Sequence, residues 1–278
     1  MSESSQTDEV YKAVRRQEVC SMAAVRRIAA MLDLDPDSFK EGENLPRGWQ
    51  FFLLAGDTRR SEIREDGFPG LGVPLPDLGL PRLLLGGRTV SFSTDIRIGD
   101  PLRRESRIQA ISHKQGQNGP MAIVSVAHDL YQLNASHPSL SETQTYILLS
   151  AQPGSSKISD APAASITSGK QITPDDVLLF QYSALGFNSH KIHIDRQYAR
   201  DVEGFPDLVV NGGLSTLLLT EYFRAQHSEI LSTLKARHLL PLFCGRPISM
   251  TIESAGQSWI LRAYNDAGAL AVEILVNA

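Results

Sequence analysis

Residues 212–231 read GGLSTLLLTEYFRAQHSEIL. In a helix begun at Gly212, the residues Leu214, Leu217, Leu218, Leu219, Tyr222 and Phe223 fall on nearly every side, which leaves no polar face for water and predicts a buried helix. Such a helix has to be wrapped by another layer. The chain that follows supplies strands at 247–252, 258–264 and 270–276, with Asn265-Asp266-Ala267-Gly268 as a hairpin turn. A second meander precedes it, at 88–96, 103–111, 121–130 and 141–149, separated by polar turns at 98–102, 115–119 and 134–138.

Upstream of that first meander, Met22, Val25, Ile28, Ala29 and Leu32 recur at three- and four-residue steps behind Ser21, a helix-capping residue, and predict a helix to about residue 33. A shorter helix is expected over 49–55, with Trp49, Phe51 and Phe52 in the core. The Gly/Pro/Asp-dense stretch within 56–82 (GFPGLGVPLPDLGLP, 67–81) reads as a long surface excursion. Residues 152–170 (QPGSSKISDAPAASITSGK) are poor in large apolar groups and read as a linker. The expected organisation is therefore a first domain over 1–151, a linker over 152–170 and a second domain over 171–278. Each domain places helices before an antiparallel meander, an α+β layer arrangement that looks like a structural duplication, although no residue-level repeat is evident.

Composition narrows the function. The chain has 278 residues, 42% hydrophobic and 21% charged, with a net charge of −4. A basic excess for phosphate backbones is missing, so nucleic acid is not an expected partner. Neither an apolar leader nor a run long enough to cross a bilayer is present, and Cys20 and Cys244 form no framework, so a reducing cytoplasm is the expected location and no membrane is involved. His190 and His193 are three apart with no third ligand in view, and no metal site is expected.

The run Phe180-Gln181-Tyr182-Ser183-Ala184-Leu185-Gly186-Phe187-Asn188-Ser189-His190-Lys191-Ile192-His193-Ile194-Asp195, then Tyr198-Ala199 and Gly204-Phe205-Pro206-Asp207-Leu208-Val209-Val210, resembles the second half of the type 2 hydroxyacyl-thioester dehydratases of the MaoC-like superfamily. That group includes mesaconyl-C4-CoA and itaconyl-CoA hydratases. The likeness extends to Gly86-Gly87-Arg88, Val90-Ser91-Phe92 and Ile98-Gly99-Asp100 in the first half, so it covers nearly the whole chain. It implies a double hotdog, each half an antiparallel sheet around a central helix, with the catalytic loop in the second half only. By motif, Asn188 and His193 match the superfamily's active-site Asn and His, and Asn211-Gly212-Gly213 matches the loop that presents an amide to the thioester oxygen. Two departures are visible: Gly186 stands where many superfamily hydratases carry an acid, and Asn211-Gly212-Gly213 replaces the group's common His-Gly-Pro.

Adding water to a double bond conjugated to a thioester requires a base for the water, a proton for the α-carbon and a stabiliser for an enolate-like oxygen. His193 is the candidate base, since an imidazole titrates near neutrality. Asn188 can hold the water or orient the ring, and Asp195 is the acidic neighbour available to replace the missing carboxylate. Backbone amides at the helix start, Gly212 and Gly213, are the candidate oxyanion donors. Asn211, His190, Lys191, Arg196 and Asp195 are assigned to the substrate side, and Arg200 is a further cation for CoA phosphates or a substrate carboxylate. The expected activity is cofactor-free hydration of an enoyl thioester carried on CoA or an acyl carrier, with a small branched dicarboxylyl group as one candidate. A hotdog thioesterase and a non-catalytic acyl-binding subunit are the alternatives, and further pairing as a homodimer is compatible with either.

Overall fold

The computed structural model describes residues 11–116, 119–150 and 169–278. Ten strands form one sheet: β1 (Val14–Val19), β2 (Arg82–Phe92), β3 (Pro101–Gly116), β4 (Gly119–Gln132), β5 (Leu140–Leu149), β6 (Lys170–Ile172), β7 (Thr233–His238), β8 (Ile248–Ala255), β9 (Ser258–Tyr264) and β10 (Leu270–Asn277). Their order across the sheet is β1-β3-β4-β5-β2-β7-β10-β9-β8-β6. Every ladder among the described residues is antiparallel. The first five strands come from one half of the sequence and the last five from the other. They are joined where β2 pairs with β7, Gly87 opposite Arg237 and Ser91 opposite Thr233.

Among the described residues four α-helices accompany the sheet: α1 (Met22–Met31), α2 (Asp176–Leu185), α3 (Arg196–Asp201) and α4 (Gly212–Gln226). Ser21 caps α1 as expected, its hydroxyl accepting from Ala24 N at 3.2 Å. The all-round apolarity of α4 is matched by its burial, since Leu214, Leu217, Leu219 and Phe223 are almost wholly removed from water. These side chains share one core with Val90 of β2, Leu234 of β7, Ile274 of β10 and Leu261 of β9, so the second half is a sheet folded around a helix.

The first half does this differently from the expectation of a central helix in each. Its concave face holds a 3-10 turn, Gln50–Leu54, in place of a full helix. Gln50 donates to Glu142 of β5 at 2.9 Å, the preceding Trp49 indole donates to Glu221 of α4 at 2.6 Å, and Arg104 of β3 donates to the carbonyls of Leu53 and Ala55 at 3.0 and 2.8 Å. Buried side chains thus hold a segment too short to be a helix in its own right.

Four further expectations are corrected. Strands β1 and β7 are additional to those expected, and α4 ends at Gln226 where the sequence suggested a helix continuing toward Leu231. Strand β2 starts at Arg82, six residues before the expected start, with a register shift between Leu85 and Gly87. Residues 56–82 are not a surface excursion: Phe68, Leu71 and Leu80 are buried with Leu83, Ile108 and Val124 in a second core. The linker expected over 152–170 falls almost entirely outside the described residues, and β6 begins at Lys170.

Candidate active site

Helix α2 ends at Leu185, and the chain reverses through Phe187, a non-glycine residue at φ 48°, with Asn188 N returning to Ser183 O at 2.7 Å. Asn188 Oδ1 then accepts from His190 N at 3.1 Å, a turn that leads into the 3-10 turn Lys191–His193. The loop is also gripped from the first half of the chain. Lys191 N donates to Asp66 O at 2.9 Å and the Ser189 hydroxyl donates to Gly67 O at 2.7 Å.

That construction places His190 and His193, their rings 5.5 Å apart and nearly perpendicular, on the wall of a cavity of about 360 Å³. Asn188, Asn211, Gly212, Gly213, Tyr182, Phe68 and Arg88 also line it. The catalytic candidates of the sequence therefore converge.

His193 is 8% exposed, and its Nδ1 lies 2.7 Å from Val209 O. A carbonyl only accepts, so Nδ1 carries the proton and Nε2 keeps its lone pair. Burial first, and the neighbouring His190 second, lower its pKa to about 3 against the opposing pull of the Val209 bond. The imidazole is accordingly neutral at any physiological pH. His190 is likewise lowered to about 4, by burial and then by Arg64. Its Nε2 is 3.9 Å from Asp66 Oδ2, but Arg64 holds the same carboxylate at 2.8 Å and offsets that attraction.

At the other side of the cavity α4 begins. Asn211 is its N-cap residue but gives no side-chain cap, since its Nδ2 donates to Ser183 Oγ at 3.3 Å and its Oδ1 has no partner. The first amides of a helix have no acceptor within the helix, and here they sit at the positive end of the macrodipole against a cavity. The glycines are required there. A Cβ on Gly213 would lie 2.1 Å from Tyr182 Oη and 3.1 Å from Arg88 Nη2, and one on Gly212 would meet the His238 ring and Leu85 at 3.2 Å. Gly213→Ala should displace both polar groups from the helix tip and lower kcat/KM by about 10²-fold, as a misplacement near 1 Å can do. Steady-state rates beside a thermal melt separate this loss from unfolding.

Other candidates lie off the cavity wall. Asp195 is exposed and caps α3, accepting from Tyr198 N at 2.9 Å. Because 191–193 is a 3-10 turn and not an extended strand, Asp195 does not share a face with His193, and the ring is oriented by Val209 O instead. Arg196 is engaged by Asp207 and Asp176 at 2.7 and 2.6 Å, Arg200 by Asp207 at 2.9 Å, and the Lys191 ammonium stands 5.1 Å from the Tyr198 ring centroid. Phe51, expected only in the core, is also a cavity wall, stacked on Tyr182 at 4.5 Å.

The sequence reading missed Asp66, Tyr182, Glu142 and His238, and it assigned no role to Arg88. Arg88 lies mid-strand in β2 opposite Gln144 of β5, and its side chain is 9% exposed. A cation at an inward position of a central strand is the signal that could have found it.

A neutral imidazole and an uncapped helix tip face one cavity walled by both halves of the chain, an arrangement suited to acyl-thioester chemistry. The family of hydroxyacyl-thioester dehydratases type 2 matches residues 48–244, and the chain belongs to it. It is 34% identical over 257 residues to the mesaconyl-C(4)-CoA hydratase of Chloroflexus aurantiacus, covering 90% of each. Among solved structures, a MaoC-like dehydratase from Phytophthora capsici superposes with a TM-score of 0.68 at 14% identity, covering 97% of this chain and 96% of that one. A conserved Mycobacterium tuberculosis protein with a double hotdog fold gives a TM-score of 0.56 at 12% identity, covering 96% and 95%. The fold is a double hotdog and the chain is a hydro-lyase of the hydratase/dehydratase type.

Proposed function

We propose that the protein adds water reversibly to a small branched dicarboxylyl enoyl-CoA of the mesaconyl- or itaconyl-CoA type, with His193 as the base. One observation carries the assignment of His193: Nδ1 is committed to Val209 O, so the lone pair of Nε2 belongs to a ring that lines the cavity. In the hydration direction Nε2 takes a proton from water, whose oxygen bonds to the β-carbon. The electrons of the double bond move toward the thioester oxygen, which the amides of Gly212 and Gly213 receive. The imidazolium returns its proton to the α-carbon. Asn188, its Oδ1 engaged by His190 N, offers its amide nitrogen to the water. Hydration is redox-neutral, and the reading requires no cofactor.

A buried base whose pKa lies near 3 accepts a proton reluctantly in the resting enzyme. The transition state changes that, because negative charge develops on the substrate oxygen as the imidazolium forms, and the two charges share a low-dielectric space. The choice of acyl group is supported by the Chloroflexus relative, named for mesaconyl-C(4)-CoA, and by a cavity at the small end of the ligand-site range. A hotdog thioesterase usually recruits a carboxylate as base or nucleophile. Asp66, the carboxylate beside His190, faces Arg64 and Phe68 N and is absent from the cavity lining.

Purified protein mixed with a panel of enoyl-CoA esters should remove the ultraviolet band of the conjugated thioester without releasing free thiol. Mesaconyl- or itaconyl-CoA should give the largest kcat/KM. Loss of the band matched one for one by released thiol would replace hydration with hydrolysis.

A further inference from the structure

Arg88 is a guanidinium in the middle of a ten-stranded sheet, and its surroundings leave it incompletely used. Its ion-pair partner is Glu142, 3.3 Å from Nη1 and fully buried. Both oxygens of that carboxylate already accept hydrogen bonds, Oε2 from Gln50 at 2.9 Å and Oε1 from Gln144 at 2.8 Å. Arg88 Nε is buried with no partner among the described residues. Buried donors of a charged group are normally satisfied, and an orphan within a guanidinium that lines a cavity leaves that group with donor capacity to spare.

Arg88 lines the cavity, whereas Glu142 does not. The carboxylate therefore stands behind the guanidinium and holds it toward the open space. Two further polar side chains stand close to it. Tyr182 Oη and Arg88 Nη2 both border Gly213, at the positive end of α4. His238, whose Nε2 is also buried without a partner, packs its ring against Gly212 and is kept neutral by burial and by Arg88. With His193 and His238 uncharged, the inner wall combines one guanidinium with a helix N-terminus, and the single opposing charge is placed behind it.

We infer that Arg88, with Tyr182 beside it, binds the free carboxylate of the acyl group, so that the enzyme selects thioesters whose short acyl chain ends in a carboxylate over neutral ones. This deepens the proposed hydration of a dicarboxylyl-CoA and rests on it for the identity of the reaction, but not for the binding step. The two ends of a four-carbon acyl unit are close enough for the thioester oxygen to take the Gly212 and Gly213 amides while the far carboxylate takes the guanidinium fork. Arginine suits the role because its fixed donors match a planar carboxylate in pairs.

The test uses two saturated thioesters that cannot be hydrated, succinyl-CoA and butyryl-CoA, in titration calorimetry with the full chain. The native protein should bind succinyl-CoA more tightly by a factor on the order of 10²–10³, the scale of a buried charge-pair loss. Arg88→Met alone would strand Glu142, so the variant is Arg88→Met with Glu142→Gln, checked by thermal melt. In it, the succinyl/butyryl preference should collapse toward unity, and the ratio of kcat/KM for mesaconyl-CoA over crotonyl-CoA should fall by the same factor. Arg88→Lys, a point charge without the fork, should fall between. Equal binding of the two thioesters by the native protein overturns the inference, and needs no variant to do so. An undiminished preference in the double variant overturns it as well. A strong succinyl preference together with no hydration of any enoyl-CoA would leave the carboxylate site standing and remove the hydratase reading.

Discussion

His193→Ala should lower kcat by a factor on the order of 10²–10⁴, the range expected for losing a positioned general base. The fold should survive. The ring makes one hydrogen bond, to Val209 O at 2.7 Å, and losing the donor leaves a carbonyl beside a cavity that water can reach, a cost of about 1–3 kcal/mol at most. His193→Gln separates chemistry from structure, because a side-chain amide can still donate to a carbonyl but has no basic lone pair. Both variants should be inactive to a similar degree, the Gln form with the smaller fall in melting temperature. His190→Ala should cost less, since that ring has no hydrogen bond to the His193 imidazole and acts through packing against Phe68 and His193. Native turnover in His193→Ala would remove the residue from the mechanism. Loss confined to KM would make it a binding residue only.

The legibility of this site in the sequence follows the range of its contacts. Helix α4 was readable because apolarity all round is a local property, and so was the loop from Asn188 to His193, whose turns are closed by neighbours. Strands β8, β9 and β10 were found for the same reason, each bounded by turn residues. Asp66 could not be found in this way. It meets His190 from more than a hundred residues away, in a stretch whose glycines and prolines read as surface but which folds back as a buried strap on the loop 188–193. Strand β7, TLKARH, alternates with two cations and follows a long helix without a glycine or proline to separate them, so the sequence offers no boundary there and assigns it to no element. The buried set of Arg88, Glu142, Gln144 and Gln50 is assembled from β2, β5 and the 3-10 turn, and only the β2–β5 register reveals it. Asp195 is the converse case: an acid two residues from the base is a local pattern, and the local turn makes it a helix cap.

Stability should fall steeply with acid, beginning well above the carboxylate range. Among the described residues four histidines, His128, His190 and His193 buried and His238 half-buried, have lowered pKa values, His128 and His190 to about 4, and His193 and His238 to about 3, in every case chiefly through loss of solvation. Each stays neutral in the folded chain while the unfolded chain takes up a proton below about pH 6.5. In the window between 6.5 and 3–4 the unfolded state therefore binds more protons, so the histidine contribution is complete above that window and is lost as pH falls through it. The slope approaches about 1.4 kcal/mol per pH unit for each histidine. Against a typical net stability of about 5–15 kcal/mol, four such groups acting together bring unfolding within roughly one to three units below pH 6.5. Asp57, held below the ordinary carboxylate range by Arg16, Asp176, held there first by the Cys244 thiol and then by Arg196, and Asp207, lowered against its burial chiefly by Arg196, add to the loss only at still lower pH. Chemical unfolding at pH 7, 6 and 5 should show a falling midpoint, with proton uptake on unfolding that rises toward four at the acid end. The rate should follow the fold: because His193 is already in its basic form, kcat/KM should stay level as pH drops from 8 through 6 and then fail together with the native signal. An acid limb centred near 6.5 in a protein still fully folded would mean that the His193 imidazole is hydrated and ordinary, contrary to its burial beside His190.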